Sequence, residues 1–389
     1  MDLRLLIPFY APLVSSWAIE ARFLRWLTLL WLFVGLIVLF SASYPVGDAN
    51  NGNGTHYVVR QLLGVWLGSM AFGVIVRYPL HRILGVAHWF VLILLGLIFI
   101  TLIPGLGTHT NGAVRWIALG SFEIQPSELI KPFLVLQSAR LFGHWHRLAW
   151  RFRLTWLLIF GLVLVGILMQ PNLSTTALCG TTIWLIALAA GLPYLYLGGT
   201  ALSGVLIAVL SISRRAYQKR RVMSFLNPWA DPMHDGYQLI QSLLAVGSGG
   251  IWGTGFGLSQ QKLFYLPIQY TDFIFAVFAE EFGFTGSLLL LLLLLIYATL
   301  ALIVAIKTRN TVYRLVAVGA TLLMVGQSLM NIGVAIGVLP TTGLPFPLIS
   351  YGGNSMIASL MVAGLLIRVA RESSEAEVVS IQERQAPSA

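Results

Sequence analysis

Long apolar runs separated by short polar ones repeat along the whole chain. Runs such as 288–296 are continuously aliphatic, so they lack the in-and-out alternation of a membrane β-barrel strand. A membrane-spanning helix needs about 20 such residues. The pattern predicts about ten: 23–43, 60–77, 83–103, 126–142, 154–170, 175–191, 194–212, 272–306, 312–338 and 352–369. Pro126 suits the first turn of the fourth span, and Ser174 is placed to cap the sixth. The eighth run is longer than a bilayer needs, so its start is expected to stand above the hydrocarbon. Residues 1–21 read as a segment lying along the membrane surface. Residues 105–125 and 340–347 read as polar loops. The predicted class is an all-α polytopic membrane protein. Its transmembrane domain covers 1–371 and includes a large extracytoplasmic loop, 213–271, between spans 7 and 8. The polar tail, 372–389, is expected to be disordered.

Composition agrees with this. Hydrophobic residues make up 57% of the 389 and charged residues only 10%, more apolar surface than a soluble core absorbs. The net charge of +10 raises nucleic acid as a partner. That is rejected, because most of the Lys and Arg flank apolar runs, as membrane orientation requires. Ten spans put both termini on one side, together with Arg4, Arg22, Arg25, Arg77, Arg82, Arg140, Arg147, Arg151, Arg153, Lys307, Arg309, Arg314, Arg368 and Arg371. That side is expected to be the cytoplasm. Arg214, Arg215, Lys219, Arg220 and Arg221 break the pattern, since they fall in the outer loop, where the rule is weaker. Arg22 and Arg25, a run to Phe40 and then Ser41-Ala-Ser43 resemble a cleaved secretory signal. The many later spans favour a first helix that stays attached. The single cysteine, Cys179, lies inside an apolar run and excludes an intrachain disulfide.

Few residues can carry chemistry. Asp272 ends the long polar loop and is followed at once by Phe273-Ile-Phe-Ala-Val-Phe-Ala. An aspartate there serves either to cap the helix and complement its dipole or to accept a proton at the water–membrane boundary. Glu280 and Glu281 lie about 12 Å further on, where an ionisable group needs a cavity or a partner. Glu128 and Lys131 share one face of span 4, and Lys131 requires an anion: Glu128, Asp272 or a bound phosphate. The cluster 214–221 suits a diphosphate, and equally a solvated or headgroup-facing surface. Gly247-Ser-Gly-Gly250 and Gly253-Thr-Gly-Phe-Gly257 lack the strand and helix of a phosphate loop and read as re-entrant or flexible turns. The seven His are scattered, so no metal site is assigned.

The chain resembles the SEDS family (shape, elongation, division, sporulation), whose members include FtsW and RodA. The stretches that carry the resemblance are Phe40-Ser-Ala-Ser43, Asn111-Gly-Ala-Val-Arg-Trp116-Ile-Ala-Leu-Gly120, Gln125-Pro-Ser-Glu-Leu-Ile-Lys131 and Gln170-Pro-Asn-Leu. They continue with Arg220-Arg-Val, Asn227-Pro-Trp-Ala-Asp-Pro232, Gly236-Tyr-Gln-Leu-Ile-Gln-Ser242, Thr271-Asp-Phe-Ile-Phe275, Glu280-Glu-Phe-Gly and Gly343-Leu-Pro-Phe-Pro-Leu-Ile-Ser350-Tyr-Gly-Gly353. The forms look more like division members than elongation members. Four positions depart from the family pattern: Tyr270 for His, Ile268 for an acid, Asn172 for Asp and Asn354 for Ser.

The resemblance implies an inverting peptidoglycan glycosyltransferase at the outer face of the bacterial cytoplasmic membrane. It would polymerise lipid II, the undecaprenyl-diphosphate-linked disaccharide pentapeptide, beside a class B penicillin-binding protein and other divisome proteins. The family's essential aspartate maps onto Asp272. The resemblance and the charge pattern together nominate Lys131, Arg115, Arg214, Arg215, Arg220, Arg221, Gln241 and Ser350 for substrate and diphosphate. Glu128, Glu280 and Glu281 are nominated as supporting acids. No cofactor is assigned; a divalent cation is compatible with a leaving diphosphate, although the sequence shows no dedicated cage. The alternatives are a lipid II flippase or transporter, against which no internal repeat is visible, a non-catalytic division scaffold, and an elongation-type polymerase.

Overall fold

A computed structural model describes residue 14 and residues 17–110, 113–120 and 122–385. Most of the expected surface segment 1–21, together with Asn111 and the last four tail residues, lies outside the described residues. The helices are α1 (Ile19–Asn51), α2 (His56–Arg77), α3 (Leu80–Thr101), α4 (Pro126–Gly143), α5 (Trp150–Met169), α6 (Leu173–Ala189) and α7 (Tyr194–Arg214). They continue with α8 (Ala216–Leu226), α9 (Tyr237–Ser248), α10 (Ile274–Lys307), α11 (Thr311–Thr321), α12 (Gln327–Ala335) and α13 (Gly353–Gln385). A π-helical turn, Leu322–Gly326, joins α11 to α12 into one membrane-length rod.

Eight spans are long and apolar enough to cross a membrane. Two further helices bring the number to the ten expected. α6 is apolar but has only 17 residues, and α4 is made less apolar by Glu128 and Lys131. Pro126 is the first residue of α4. The cap of α6 is Asn172, whose side chain accepts from Thr175 N, and not Ser174.

The ends alternate as the span count requires. At one end Lys307 pairs with Glu20, Glu372 accepts from Leu80 N, and Arg371 stacks on Trp17 at 4.5 Å. The two ends of the described chain therefore meet on one side. Arg368 and Arg371 also donate to Val76 O, where α2 leaves its last carbonyls without helical partners.

Three regions differ from expectation. The loop 105–125 contains a small antiparallel sheet, β1 (Gly107–Thr110), β2 (Ala113–Leu119) and β3 (Phe122–Ile124), in the order β1-β2-β3. Ala-Val-Arg-Trp-Ile-Ala-Leu is rich in β-branched and aromatic residues, and it was too short to stand out among apolar spans. The large loop holds α8 and α9. The tail, read as disordered, prolongs α13 to Gln385, with Arg368 and Glu372 paired one turn apart at its root.

The eighth span resolves its excess length by breaking. α10 has 34 residues and one non-helical position, Gly283, with φ 65°. The stretch after the break, 284–307, is about 36 Å long and crosses a bilayer by itself. The break frees carbonyls and amides, and the glycine-rich turn takes them up. Thr254 N and Gly255 N donate to Glu280 O and Glu281 O, while Phe284 N and Thr285 N donate to Gly250 O and Ile251 O. This turn is a fixed backbone clamp, not a flexible one. A Cβ at Gly253 would lie 2.2 Å from Glu281 O, and one at Gly283 would lie 2.3 Å from Gly253 N.

The loop between α12 and α13 is re-entrant. Phe346 packs on Trp31, with ring centroids 6.3 Å apart, and Trp31 is about 16 Å along α1 from Glu20. The loop tip thus descends well inside the bundle. Non-helical backbone at that depth persists only if protein groups satisfy it. Gln61 accepts from Gly352 N and donates to Ser350 O, while Gln327 donates to Pro345 O and Asn331 to Leu344 O.

Gly253→Ala is expected to lower stability by about 3 kcal/mol or more, since left-handed strain and overpacking add. Thermal unfolding in detergent checks this, with Gly73→Ala, where a Cβ meets nothing within 4 Å, as the control.

Candidate active site

Asp272 does not cap α10. It lies in the turn before the helix, which starts at Ile274 with no side-chain cap. Its height follows from α11–α12: Asn331, whose Nδ2 donates to Asp272 O at 2.8 Å, is about 30 Å along that rod from Thr311. Ser41, which contacts Glu281, is likewise about 31 Å along α1 from Glu20. Asp272 and Glu281 therefore lie at similar heights, and 274–282 runs across the bundle instead of rising out of it.

The backbone around Asp272 is held on three sides. Ser350 Oγ donates to Thr271 O and accepts from Phe346 N at 2.7 Å. Tyr351 N donates to Tyr270 O, and Asn331 holds Asp272 O. Ser350, nominated for substrate, is 3% exposed and already committed on both sides of its hydroxyl, so it acts as a staple. Tyr270, Tyr57 and Tyr351 pack ring on ring beside this turn. Burial, first, and then the Tyr57 hydroxyl push the Tyr270 phenol up from its ordinary value, so it stays a neutral hydrogen-bonding group.

The Asp272 carboxylate itself is half-buried. Among the described residues it is bonded only to Thr271, whose Oγ1 lies 2.8 Å from Asp272 Oδ1. Its other oxygen faces a gap kept open by Gly343. A Cβ at Gly343 would lie 3.8 Å from both Asp272 Oδ2 and Arg221 Nη1. Carboxylate and guanidinium are thus at most twice that distance apart, across a residue whose φ of 70° favours glycine.

Arg221 comes from α8, stacks on Tyr217 at 4.8 Å and donates to Thr341 O. Arg115 comes from β2 and is fixed by Gln170 O and Pro171 O. Burial pulls Arg115 below the ordinary guanidinium range, Tyr217 opposes this, and the nearby charge of Arg221 adds to it. The hydrogen-bond partners of both arginines are carbonyls, not carboxylates. Two half-buried cations side by side, in no ion pair among the described residues and with the Asp272 carboxylate only across the gap, form a place for an anion.

The other nominated cations go elsewhere. Arg214 and Lys219 are exposed, Arg215 donates to Leu168 O at the end of α5, and Arg220 faces Asp235 at 3.5 Å. Lys131 is 4% exposed and takes Glu128 as its anion, at 2.7 Å, with Gln327 Oε1 at 3.3 Å. Of the partners the sequence allowed for Lys131, the fold selects Glu128. Gln241 is half-buried on α9, and its neighbours Gln238 and Ser242 hold Pro267 O and Ala335 O.

Glu280 and Glu281 anchor the loop that carries Asp272. Glu280 accepts from Ser259 Oγ, Gln260 N and Gln261 N. Glu281 pairs with Lys262 at 2.7 Å, and both bond Ser41. Sequence reasoning missed Gln61, Lys262, Gln327, Asn331 and Gly343. Buried amides in apolar spans were the available signal for three of them. Lys262 lies in a polar loop, where a cation carries no mark of burial.

Fold and site together define a polytopic membrane protein with a carboxylate across a gap from one guanidinium group, a second guanidinium beside that one, near one membrane boundary. The model of the FtsW/RodA/SpoVE cell cycle proteins matches residues 21–375. The chain belongs to that family. It is 57% identical to a Synechocystis sp. protein named "Probable peptidoglycan glycosyltransferase FtsW", over 99% of this chain and 98% of that one. It is 38% identical to stage V sporulation protein E of Bacillus subtilis over 89% of this chain and 96% of that one. Among solved structures, a chain of a peptidoglycan synthase complex that coordinates polymerization and crosslinking superposes with a TM-score of 0.73 at 27% identity, covering 92% and 98%. Thermus thermophilus RodA superposes with a TM-score of 0.67 at 26% identity, covering 93% and 99%.

Lys262→Met leaves Glu281 charged in a buried site and is expected to cost about 3–5 kcal/mol. Adding Glu281→Leu should recover part of that loss, because the stranded charge goes with it. Unfolding midpoints of the single and double variants measure the difference.

Proposed function

We propose that this chain is a peptidoglycan glycosyltransferase that polymerises lipid II at the outer face of the bacterial cytoplasmic membrane, in the manner of the division members of its family. Both termini then face the cytoplasm, and a class B penicillin-binding protein crosslinks the strands it makes. The observation that carries the reading is the gap at Gly343, with Asp272 Oδ2 on one side and Arg221 on the other.

In this mechanism Asp272 takes the proton from the acceptor sugar hydroxyl as that oxygen attacks the anomeric carbon of the donor strand. The bond from that carbon to the diphosphate breaks on the opposite face, and the configuration inverts. Arg221 and Arg115 receive the charge that develops on the diphosphate, and their partly desolvated setting strengthens the interaction. The prenyl chain stays in lipid. α7 supplies apolar surface for it, since Leu197 is the only residue that helix buries.

Asp272→Asn should lower the rate of lipid II polymerisation by on the order of 10²–10⁴-fold, measured as glycan product from purified protein with its transpeptidase partner. Undiminished product rejects the general base. Arg221→Gln should reduce kcat/KM for lipid II by about 10- to 100-fold, the effect of one hydrogen bond to a charged group. Lys219→Gln, at an exposed position, should leave it near the wild-type value.

A further inference from the structure

The hydroxyl of Thr271 has one proton and two acceptors. Thr271 Oγ1 lies 2.8 Å from Asp272 Oδ1 and 2.9 Å from Ile268 O. A hydroxyl donates one hydrogen bond and accepts others, so it can serve only one of those acceptors while Asp272 is a carboxylate. When Asp272 is neutral, with the proton on the gap-facing Oδ2, its Oδ1 is an uncharged carbonyl oxygen and a weaker acceptor, and the Thr271 proton turns to Ile268 O.

The second acceptor is a built feature. Ile268 has φ 51°, the left-handed region that a β-branched residue enters only as an outlier. The residues on either side hold it there. Pro267 O accepts from Gln238, and Gln269 donates to Ala42 O and Lys262 O. The strained residue turns its carbonyl onto Thr271, accepting from both its backbone N–H and its hydroxyl. Strain that its surroundings over-determine in this way gathers at functional sites. Ser350 and Asn331 pin the carbonyls of Thr271 and Asp272, so the two side chains stay in register.

We infer that Thr271 is a positioning residue that serves Asp272 in both of its protonation states. The inference rests on the general-base reading of Asp272. When the acceptor O–H bond breaks and its proton ends on Asp272 Oδ2, the charge leaves Oδ1 as well, the Thr271 hydroxyl turns from Oδ1 to Ile268 O, and no heavy atom moves. When the proton leaves for solvent, the hydroxyl swings back. The base therefore changes charge with little reorganisation, as a preorganised site requires. The other titratable and charged groups at this corner are Arg221 across Gly343, Arg115 and Tyr217 behind it, Tyr57, His56, Arg60, Tyr270 and Tyr351 on the α2 side, and Glu123 near Tyr351. All stay in place when the Thr271 hydroxyl is removed.

The donor sets the direction of the effect. In the charged state Thr271 donates to the carboxylate and favours it, so its loss favours the neutral acid. A neutral acid is no base, so more alkaline solution is needed to restore activity. Thr271→Val should move the acidic limb of the kcat/KM profile for lipid II polymerisation upward by about one pH unit. Thr271→Ala removes the same hydroxyl without a branched methyl and should move the limb the same way. Thr271→Ser keeps the hydroxyl and should return it. The limb's position does not depend on how much protein is folded, which separates tuning from a loss of structure. An active Asp272→Asn protein overturns the general-base reading itself. An inactive Asp272→Asn protein, with the limb unmoved in Thr271→Val and Thr271→Ala, overturns this inference alone.

Discussion

Non-helical backbone inside a membrane protein must find every hydrogen-bond partner within the protein, and this constraint organises the whole end of the molecule that holds Asp272. Lipid offers no donors or acceptors, so each carbonyl freed by a broken helix costs several kcal/mol unless it is paired. This chain breaks its helices twice near the same boundary. It breaks α10 at Gly283 and meets the exposed groups with the backbone of a glycine-rich turn. It sends a loop down between α12 and α13 and meets those groups with the side chains of Gln61, Gln327, Asn331 and Ser350. The two solutions share a consequence: both leave Asp272 in a rigid turn whose backbone is already satisfied, so its carboxylate is free for other work.

The charges obey the same logic. An intramembrane ion is tolerable when paired. Lys131 with Glu128, and Lys262 with Glu281 and Ser41, are closed units that tie helices and loop together. Arg115 and Arg221 are different, because carbonyls and one aromatic ring fix their direction while leaving their charge unmatched. Their cationic field is cheapest when an anion arrives. Set opposite a carboxylate, the arrangement is suited to chemistry in which a proton leaves on one side and a diphosphate on the other. The π-helical turn before Gln327 contributes as well. An extra residue in that turn rotates α12 relative to α11, and Gln327 and Asn331, one turn apart, both reach the re-entrant loop.

The membrane class, the ten spans and the side shared by the termini were legible in the order of residues, because lipid selects uniform apolar length and loops sort their cations by side. Asp272 could be singled out as a candidate too, since a lone acid at a loop–helix junction stands out and its motif resembles a known one. The roles of the other polar residues were not. Five cations between 214 and 221 look equivalent in sequence, yet the turn of α8 sends Arg221 to the site and Arg220 to Asp235, and leaves Arg214 and Lys219 exposed. Ser350 and Lys131 look like ligands and prove to be a staple and half of an ion pair. Span length and sidedness are properties of local sequence, written where they act. Which charge meets which depends on contacts between residues far apart in the chain, such as Ser41 with Glu281 or Asn331 with Asp272, and only packing decides those.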